Sequence, residues 1–372
     1  MDFDLGSFRD PAGKIFYKSN KVYRQISPQG YERYEFIKSS GILNKSIEDG
    51  FLIDTKEIND KEIQREFPNS KYILQHKLID FISYPFEWSF NQLKDAALHH
   101  LDFQIYLLDK NAVLIDSSAY NIQFDGSKPV FIDVLSINQY KEGMYWYGHK
   151  QFCENFLNPL LLSSKKEIYF NNWFKGNLEG ITTSDLNAML SFTDKLSPSI
   201  FLQVYMLSKL DKKTIKSPNF SKKKLKGLKN FSKKSYLSLL KQLKKTISKL
   251  EAYKRSSVWE NYSTDNTYSK EEELFKKENV KNFIKRNDFN LVADVGCNDG
   301  FYSIESLKSG CNKVIGFDFD LNAVDKAYLK SKKNNYSFLP LYLDATNPST
   351  NMGWNESERK GLKLRLKFDA LI

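Results

Sequence analysis

The sequence predicts an α/β chain, with a parallel sheet of about four strands at its C-terminal end and an α+β unit ahead of it. Three observations carry the sheet. The apolar run Leu291–Val295 is followed by Gly296, three residues and Gly300, and then by a helical pattern through Ile304 and Leu307 that Gly310 stops. A second apolar strand, Lys313–Asp318, ends in a carboxylate. A third, residues 337–343, leads into Asp344. Acids and a glycine turn at the ends of successive parallel strands mark the place where open α/β sheets bind ligands. Glycine lets backbone approach a ligand that a Cβ would strike, and a following helix N-terminus aims free N–H groups at it.

The motif Asp294-Val-Gly-Cys-Asn-Asp-Gly300, then Gly316-Phe-Asp318, then Leu343-Asp344-Ala345, resembles the class I S-adenosylmethionine-dependent methyltransferases, whose sheet is Rossmann-like. The resemblance implies S-adenosyl-L-methionine as cofactor. It implies that Asp294 and Gly296, with Cys297, Asn298 and Gly300 in the same turn, shape the pocket for the methionine part. It places Asp318 on the ribose and Asp344 near the adenine. Cys297 reads as a small residue tolerated beside the cofactor. The implied reaction is methyl transfer to an O or N of a small-molecule or glycan-type acceptor. No catalytic base is identified. The family's sheet has seven strands, and residues 368–372 supply only the fourth. The module is therefore expected to be incomplete, with an edge and one face of the last strand exposed.

From the N-terminus, residues 11–26 read as a β-hairpin turning at Ser19-Asn20. Residues 31–39 read as a helix stopped by Gly41, and residues 47–58 and 71–82 as further short strands. Residues 85–88 form an aromatic turn. Leu93, Ala97, Leu101 and Ile105 recur at helical spacing along 89–108, with His99 and His100 on that helix as structural side chains. Two strands at 121–124 and 130–134 then flank an Asp125-Gly126 turn.

Here Asp116, Asn121 five residues later and Asp133 twelve after that form a D-x-x-x-x-N … D pattern. It resembles the catalytic loop and metal-holding Asp of kinase-like phosphotransferases, so the first unit is expected to be kinase-like. The alternative function is phosphotransfer by Asp116, Asn121 and Asp133. No glycine-rich loop precedes Lys21-Val-Tyr-Arg24, and Leu114-Ile115 stand where that family keeps a His. Residues 145–162 form an aromatic helix with Phe152, Phe156 and Leu160 at four-residue spacing, read as core. The hairpin, the Asp116 loop, residues 131–136 and this helix, ahead of a methyltransferase module, resemble a bacterial family related to rhizobial nodulation methyltransferases. Residues 186–192 and 200–207 read as shorter helices.

The net charge of +11 is local: residues 211–255 carry +14 and the remainder −3. Their first half, 212–234, reads as a linker or exposed arm. In the second half Tyr236, Leu240, Leu243, Ile247 and Leu250 form an apolar seam on a Lys-rich helix. A linker helix packing on its neighbour is one reading, and a basic arm on an acidic partner, in a non-catalytic interaction protein, is another. Scarce Arg and aromatic residues argue against nucleic acid. Residues 270–284 read as an entry helix, with Tyr262 and Tyr268 before it as lid candidates. The expected divisions are 1–210, 211–255 and 256–372. The acidic start lacks an apolar stretch, so no signal peptide is expected, and no run is long enough to span a membrane. Cys153, Cys297 and Cys311 show no metal-ligand spacing, so no metal is expected and the compartment is expected to be the cytoplasm.

Overall fold

The computed structural model describes residues 2–8, 10–206, 208, 231–253 and 269–372. β1 (Asp2–Phe3), β2 (Gly13–Lys18), β3 (Lys21–Ile26), β4 (Thr55–Glu57) and β5 (Ile73–His76) form an antiparallel sheet in the order β1-β2-β3-β5-β4. Ser19 and Asn20 close the β2–β3 hairpin with φ of 51° and 56°. Two left-handed residues suit a two-residue turn between twisted strands, as the sequence predicts. Helices α1 (Pro28–Ser39), α2 (Ile42–Glu48) and α3 (Lys61–Glu66) accompany this sheet.

Helix α4 (Phe90–Asp109) is the central support of the first unit. Ser89 caps it reciprocally with Gln92, and Leu93, Ala97 and Leu101 on its apolar face are fully buried. His100 is buried among Phe131, Trp146, Phe152 and Phe156, and His99 Nε2 lies 2.9 Å from the Phe51 carbonyl oxygen, so both are structural. β6 (Ala112–Leu114), β7 (Ile122–Asp125), β8 (Lys128–Phe131) and β9 (Ile137–Gln139) form two small antiparallel pairs, β6 with β9 and β7 with β8.

The aromatic helix begins four residues later than the sequence suggests. Gly143, at φ 84°, closes a turn from Lys141 to Met144, and Trp146 folds into the core before α5 (His149–Phe152) begins. A π-helical segment, Cys153–Leu157, leads on into α6 (Asn158–Lys166). Phe152, Phe156 and Leu160 are fully buried, as expected of core. α7 (Asn171–Gly176), α8 (Thr183–Met189) and α9 (Pro198–Ile200) follow.

Most of the basic arm, and the lid candidates Tyr262 and Tyr268, lie outside the described residues. The seam helix α10 (Lys233–Ser248) buries Tyr236, Leu240, Leu243 and Ile247. It lies along α4: Gln104 Nε2 donates to Tyr236 Oη at 2.6 Å, and Lys244 pairs with Asp102. The apolar seam therefore packs on a neighbour and leaves the lysine face outside.

After α11 (Lys270–Lys285) come β10 (Leu291–Val295), α12 (Phe301–Lys308), β11 (Lys313–Asp318), α13 (Leu321–Asn334), β12 (Phe338–Tyr342), α14 (Leu362–Arg365) and β13 (Ala370–Leu371). The four strands are parallel in the order β12-β11-β10-β13. Side chains alternate between the faces. Val292, Val314 and Phe338 meet Ile304 and Ile284 on one face. Ala293, Ile315, Phe317, Leu339 and Leu341 join the core of the first unit on the other.

That second face is covered over β10–β12, while the last strand keeps an exposed face as expected, with Leu371 68% exposed. The Phe81 ring stands edge-on to Phe317 at 5.6 Å and stacks on Phe368 at 5.8 Å. Gln92 Nε2 donates to the Pro340 carbonyl at 2.9 Å. Tyr328 of α13 packs against Phe124 and donates to Asp95 at 2.6 Å. The first unit supplies the cover that helices of the sheet's own domain would otherwise provide. Among the described residues no helix is long and apolar enough to cross a membrane.

Candidate functional site

The glycine turn leaves β10 at the edge where the parallel strands end. The amides of Gly296 and Cys297 both donate to the Phe317 carbonyl, at 2.8 and 3.1 Å, which fastens the turn to β11. Gly296 has φ of 86°, and a Cβ built on it would meet no atom within 4 Å. Its backbone therefore borders open space, a cradle that a ligand can enter. Gly300, at φ 82°, has the opposite constraint: a Cβ there would strike the Phe338 ring. It lets α12 pack tightly on the sheet while its first amides face the turn.

Asp318 sits at the end of β11. Its Oδ2 accepts the Asn298 amide at 2.8 Å and its Oδ1 accepts the Asp320 amide at 2.9 Å. A carboxylate has about four lone-pair directions, so two bonds leave acceptor capacity for hydroxyls. Asn298 takes φ of 47°, which Asn tolerates better than most residues. Leu343 N–H donates to the Asp318 carbonyl, which sets Asp344 at the neighbouring strand end. Asp344 is half-buried, and its Oδ1 accepts from the Thr346 amide and hydroxyl at 3.0 and 2.6 Å.

Asp294 points inward from β10. It is 5% exposed and accepts the Ser303 hydroxyl at 2.6 Å. Burial raises its pKa to about 6, against the pull of the Ser303 bond and of Lys276. Cys297 is buried, and burial pushes its thiol well above the usual range, so it is a packing residue and not a nucleophile. The structure thus gathers Asp294, Gly296, Cys297, Asn298, Gly300 and Asp318 at one turn, with Asp344 one strand away.

Sequence reasoning missed the apolar rim. Val295, Phe319 and Leu371 are 48%, 59% and 68% exposed at the same strand ends. Val295 reads in the sequence as buried strand, and only the register shows that the sheet stops at it, whereas Leu371 lies on the last strand, where an exposed face is expected. Ser303, the partner of Asp294, was legible only as a polar residue in the first helical turn.

The second constellation is assembled differently from the phosphotransferase expectation. Asp116, Asn121 and Asp133 line one cavity together with Arg24. The Asp133 carboxylate is held by Arg24 Nη1 at 2.6 Å, by the Ser136 hydroxyl and by the Leu135 amide at 3.3 Å. Against the effect of burial, Arg24 keeps that carboxyl below its ordinary pKa. Arg24 thus pairs with the carboxylate that the phosphotransferase reading assigns to a metal ion. Asp116 accepts the Ser118 amide at 2.9 Å. Among the described residues no cluster of three His, Cys, Asp or Glu side chains is arranged to hold a metal.

Comparison with known proteins agrees with the whole-chain resemblance. The nodulation protein NoeA of Rhizobium meliloti (strain 1021) is 39% identical over 372 residues, covering 99% of this chain and 77% of NoeA. Ribosomal protein L11 methyltransferases match a short stretch. That of Colwellia psychrerythraea is 41% identical over 58 residues, 15% of this chain and 20% of the enzyme, and that of a Shewanella strain is 37% identical over 59 residues. A solved structure of a proposed RNA methyltransferase from Pyrococcus horikoshii aligns over 30% of this chain and 57% of its own, at 22% identity. Its TM-score of 0.20 is too low to carry an argument. No family model matches the chain.

Proposed function

The chain belongs to the family of the nodulation protein NoeA, and from that premise we propose that it is an S-adenosylmethionine-dependent methyltransferase whose acceptor is a hydroxyl or amine of a small molecule or glycan. The observation that carries the reading is the Gly296–Gly300 turn locked to the Asp318 carboxylate beside open space. The local similarity to L11 methyltransferases supports it.

The residues present fit the cofactor's chemistry. Asp318 offers acceptor positions to vicinal ribose hydroxyls, and Val295 and Phe319 offer apolar surface to a purine. Ionised Asp294 lies close enough to the turn to favour a cationic ligand. When bound, the cofactor supplies an activated methyl group on a sulfonium, which passes to the acceptor as the acceptor loses a proton. The chain's own contribution is to bind and orient, since in-line displacement gains most of its rate from positioning.

Two measurements test this. Asp318→Ala is expected to weaken binding of S-adenosylhomocysteine by about 10- to 100-fold, the range for hydrogen bonds to a charged group. The variant also gives up its bonds to the Asn298 and Asp320 amides, so its melting temperature is expected to fall, and affinity is compared where the variant is folded. Calorimetry showing undiminished affinity would remove the ribose assignment.

The second concerns pH. Asp294 has a raised pKa in the folded protein, so its protonated form is the one that folding favours below about 6. A cationic cofactor needs the ionised form. Affinity for S-adenosylmethionine should therefore fall about tenfold per pH unit below 6. Neutral Asp294→Asn should flatten that slope, and an equally steep slope in the variant would place the titration elsewhere.

A further inference from the structure

A cavity of ≈ 1460 Å³ lies between the antiparallel sheet, the 112–136 segment and residues 353–369. It is not the cofactor turn. It meets the parallel sheet at Asn290 and Leu291, where β10 begins, whereas the turn follows Val295, where β10 ends. A strand rising about 3.3 Å per residue separates the two by roughly 15 Å. Residues 353–369 close the cavity, so both halves of the chain build it.

Its wall holds buried polar atoms that no protein group satisfies. His76 is 7% exposed, and its Nδ1 lies 2.9 Å from Thr55 Oγ1. The Thr55 hydroxyl proton is already given to the Ile53 carbonyl, so Nδ1 carries hydrogen and Nε2 is the lone-pair acceptor. Nε2 has no partner, and burial holds the ring neutral with a pKa of about 3. Tyr120 is also 7% exposed, and its hydroxyl has no partner. The Arg359 guanidinium lies 4.4 Å over the Tyr120 ring, and its Nε is unsatisfied too. Native structures rarely leave such atoms unpaired, and these three belong to residues of one cavity wall.

The chemistry of these groups selects a ligand. Asp116 and His76 Nε2 accept, Arg359 Nε donates, and Tyr120 does either. No cation pairs with Asp116 among the described residues, and Arg24 is neutralised by Asp133 and Asp10. A phosphate would face the Asp116 carboxylate and a histidine lone pair. A cation would face two guanidiniums. A hydroxyl both donates and accepts and meets neither penalty. Tyr17, Tyr84, Tyr120 and Trp354 also line the cavity, and aromatic side chains suit the apolar side of a sugar. We propose that this cleft is a second binding site for a neutral, polyhydroxylated ligand whose vicinal hydroxyls engage Asp116, His76 and Tyr120. The site does not rest on the methyl-transfer reading, and its distance from the turn separates the ligand from the methyl acceptor.

The test is calorimetry on the 372-residue chain with maltose, cellobiose and adenosine, the first two carrying the hydroxyls on a free sugar and the third on a nucleoside. Inorganic phosphate and magnesium ATP are the comparison runs. Saturable binding of a disaccharide or of adenosine is expected, weakened at least tenfold by Asp116→Asn. S-adenosylhomocysteine binding and the melting temperature should stay unchanged in that variant. Tyr120→Phe reads the same cleft if Asp116→Asn fails to fold. No binding of any of the three, binding of phosphate or magnesium ATP alone, or undiminished affinity in the folded variant would overturn the proposal. Loss of S-adenosylhomocysteine binding in the parent chain would instead count against the methyl-transfer reading alone.

Discussion

Arg365→Ala is expected to destabilise the protein by about 3–5 kcal/mol, the cost of leaving one partner of a buried ion pair uncompensated. The Arg365 and Glu87 side chains are only 4% and 6% exposed. Arg365 meets Glu87 in a two-pronged contact, Nη1 to Oε2 at 3.0 Å and Nη2 to Oε1, and Nη1 also donates to the Ile82 carbonyl at 2.7 Å. The guanidinium lies over the Phe81 and Tyr84 rings at 5.0 and 4.4 Å. Without it, Glu87 keeps the Tyr84 amide and little else to offset its charge. The pair joins the chain just ahead of β13 to the first unit, so urea unfolding should show the loss in one transition. A double variant with Met at both positions is expected to recover most of it, because the two apolar side chains remove the unpaired charge as well as the bond. A loss below about 1 kcal/mol for Arg365→Ala would mean that water reaches the pair, as at surface salt bridges.

Arg365 shows where sequence reading stopped. It stands in Leu362-Lys-Leu-Arg-Leu-Lys367, where an arginine looks like its lysine neighbours, and only the fold puts it against Glu87. Local signals did better. Ser19-Asn20 set the hairpin, Ser89 with Gln92 started α4, and the seam from Tyr236 to Ile247 gave the buried face of α10. Each of these acts within a few residues of itself. Asp318 and Asp344 do stand at or just past strand ends, but their bonds were not foreseen. Asp318 and Asp344 were read as reaching for a ligand, and each also caps backbone amides beside it. An Asp at a strand end offers the same oxygens to both partners, so the letter alone does not choose. The Arg24–Asp133 pair, 109 residues apart in sequence, likewise had no local signature.

The largest expected effect follows from the covered sheet face. Residues 269–372, expressed without the first unit, are expected to remain unfolded or to aggregate. Strands β10 to β12 are apolar on both faces, and that pattern announces burial without naming what buries it. On one side the answer lies within the fragment, in Ile304 and Ile284 against Val292, Val314 and Phe338. On the other, Ile315, Phe317, Leu339 and Leu341 share a core with Phe81, Trp88 and Phe124 of the first unit. Fully burying a side chain of this size stabilises by about 1.5–3 kcal/mol. Four of them therefore account for roughly 6–12 kcal/mol, as much as the whole net stability of an ordinary domain. The fragment would also lose the Arg365–Glu87 pair and the Lys313 bonds to Asp80 and Asp125. Circular dichroism and sedimentation of the fragment check this. A monomeric fragment with a sharp melting transition would show that the sheet carries its own core. The first unit would then be a separate module docked on it, and not the second cover of the parallel sheet.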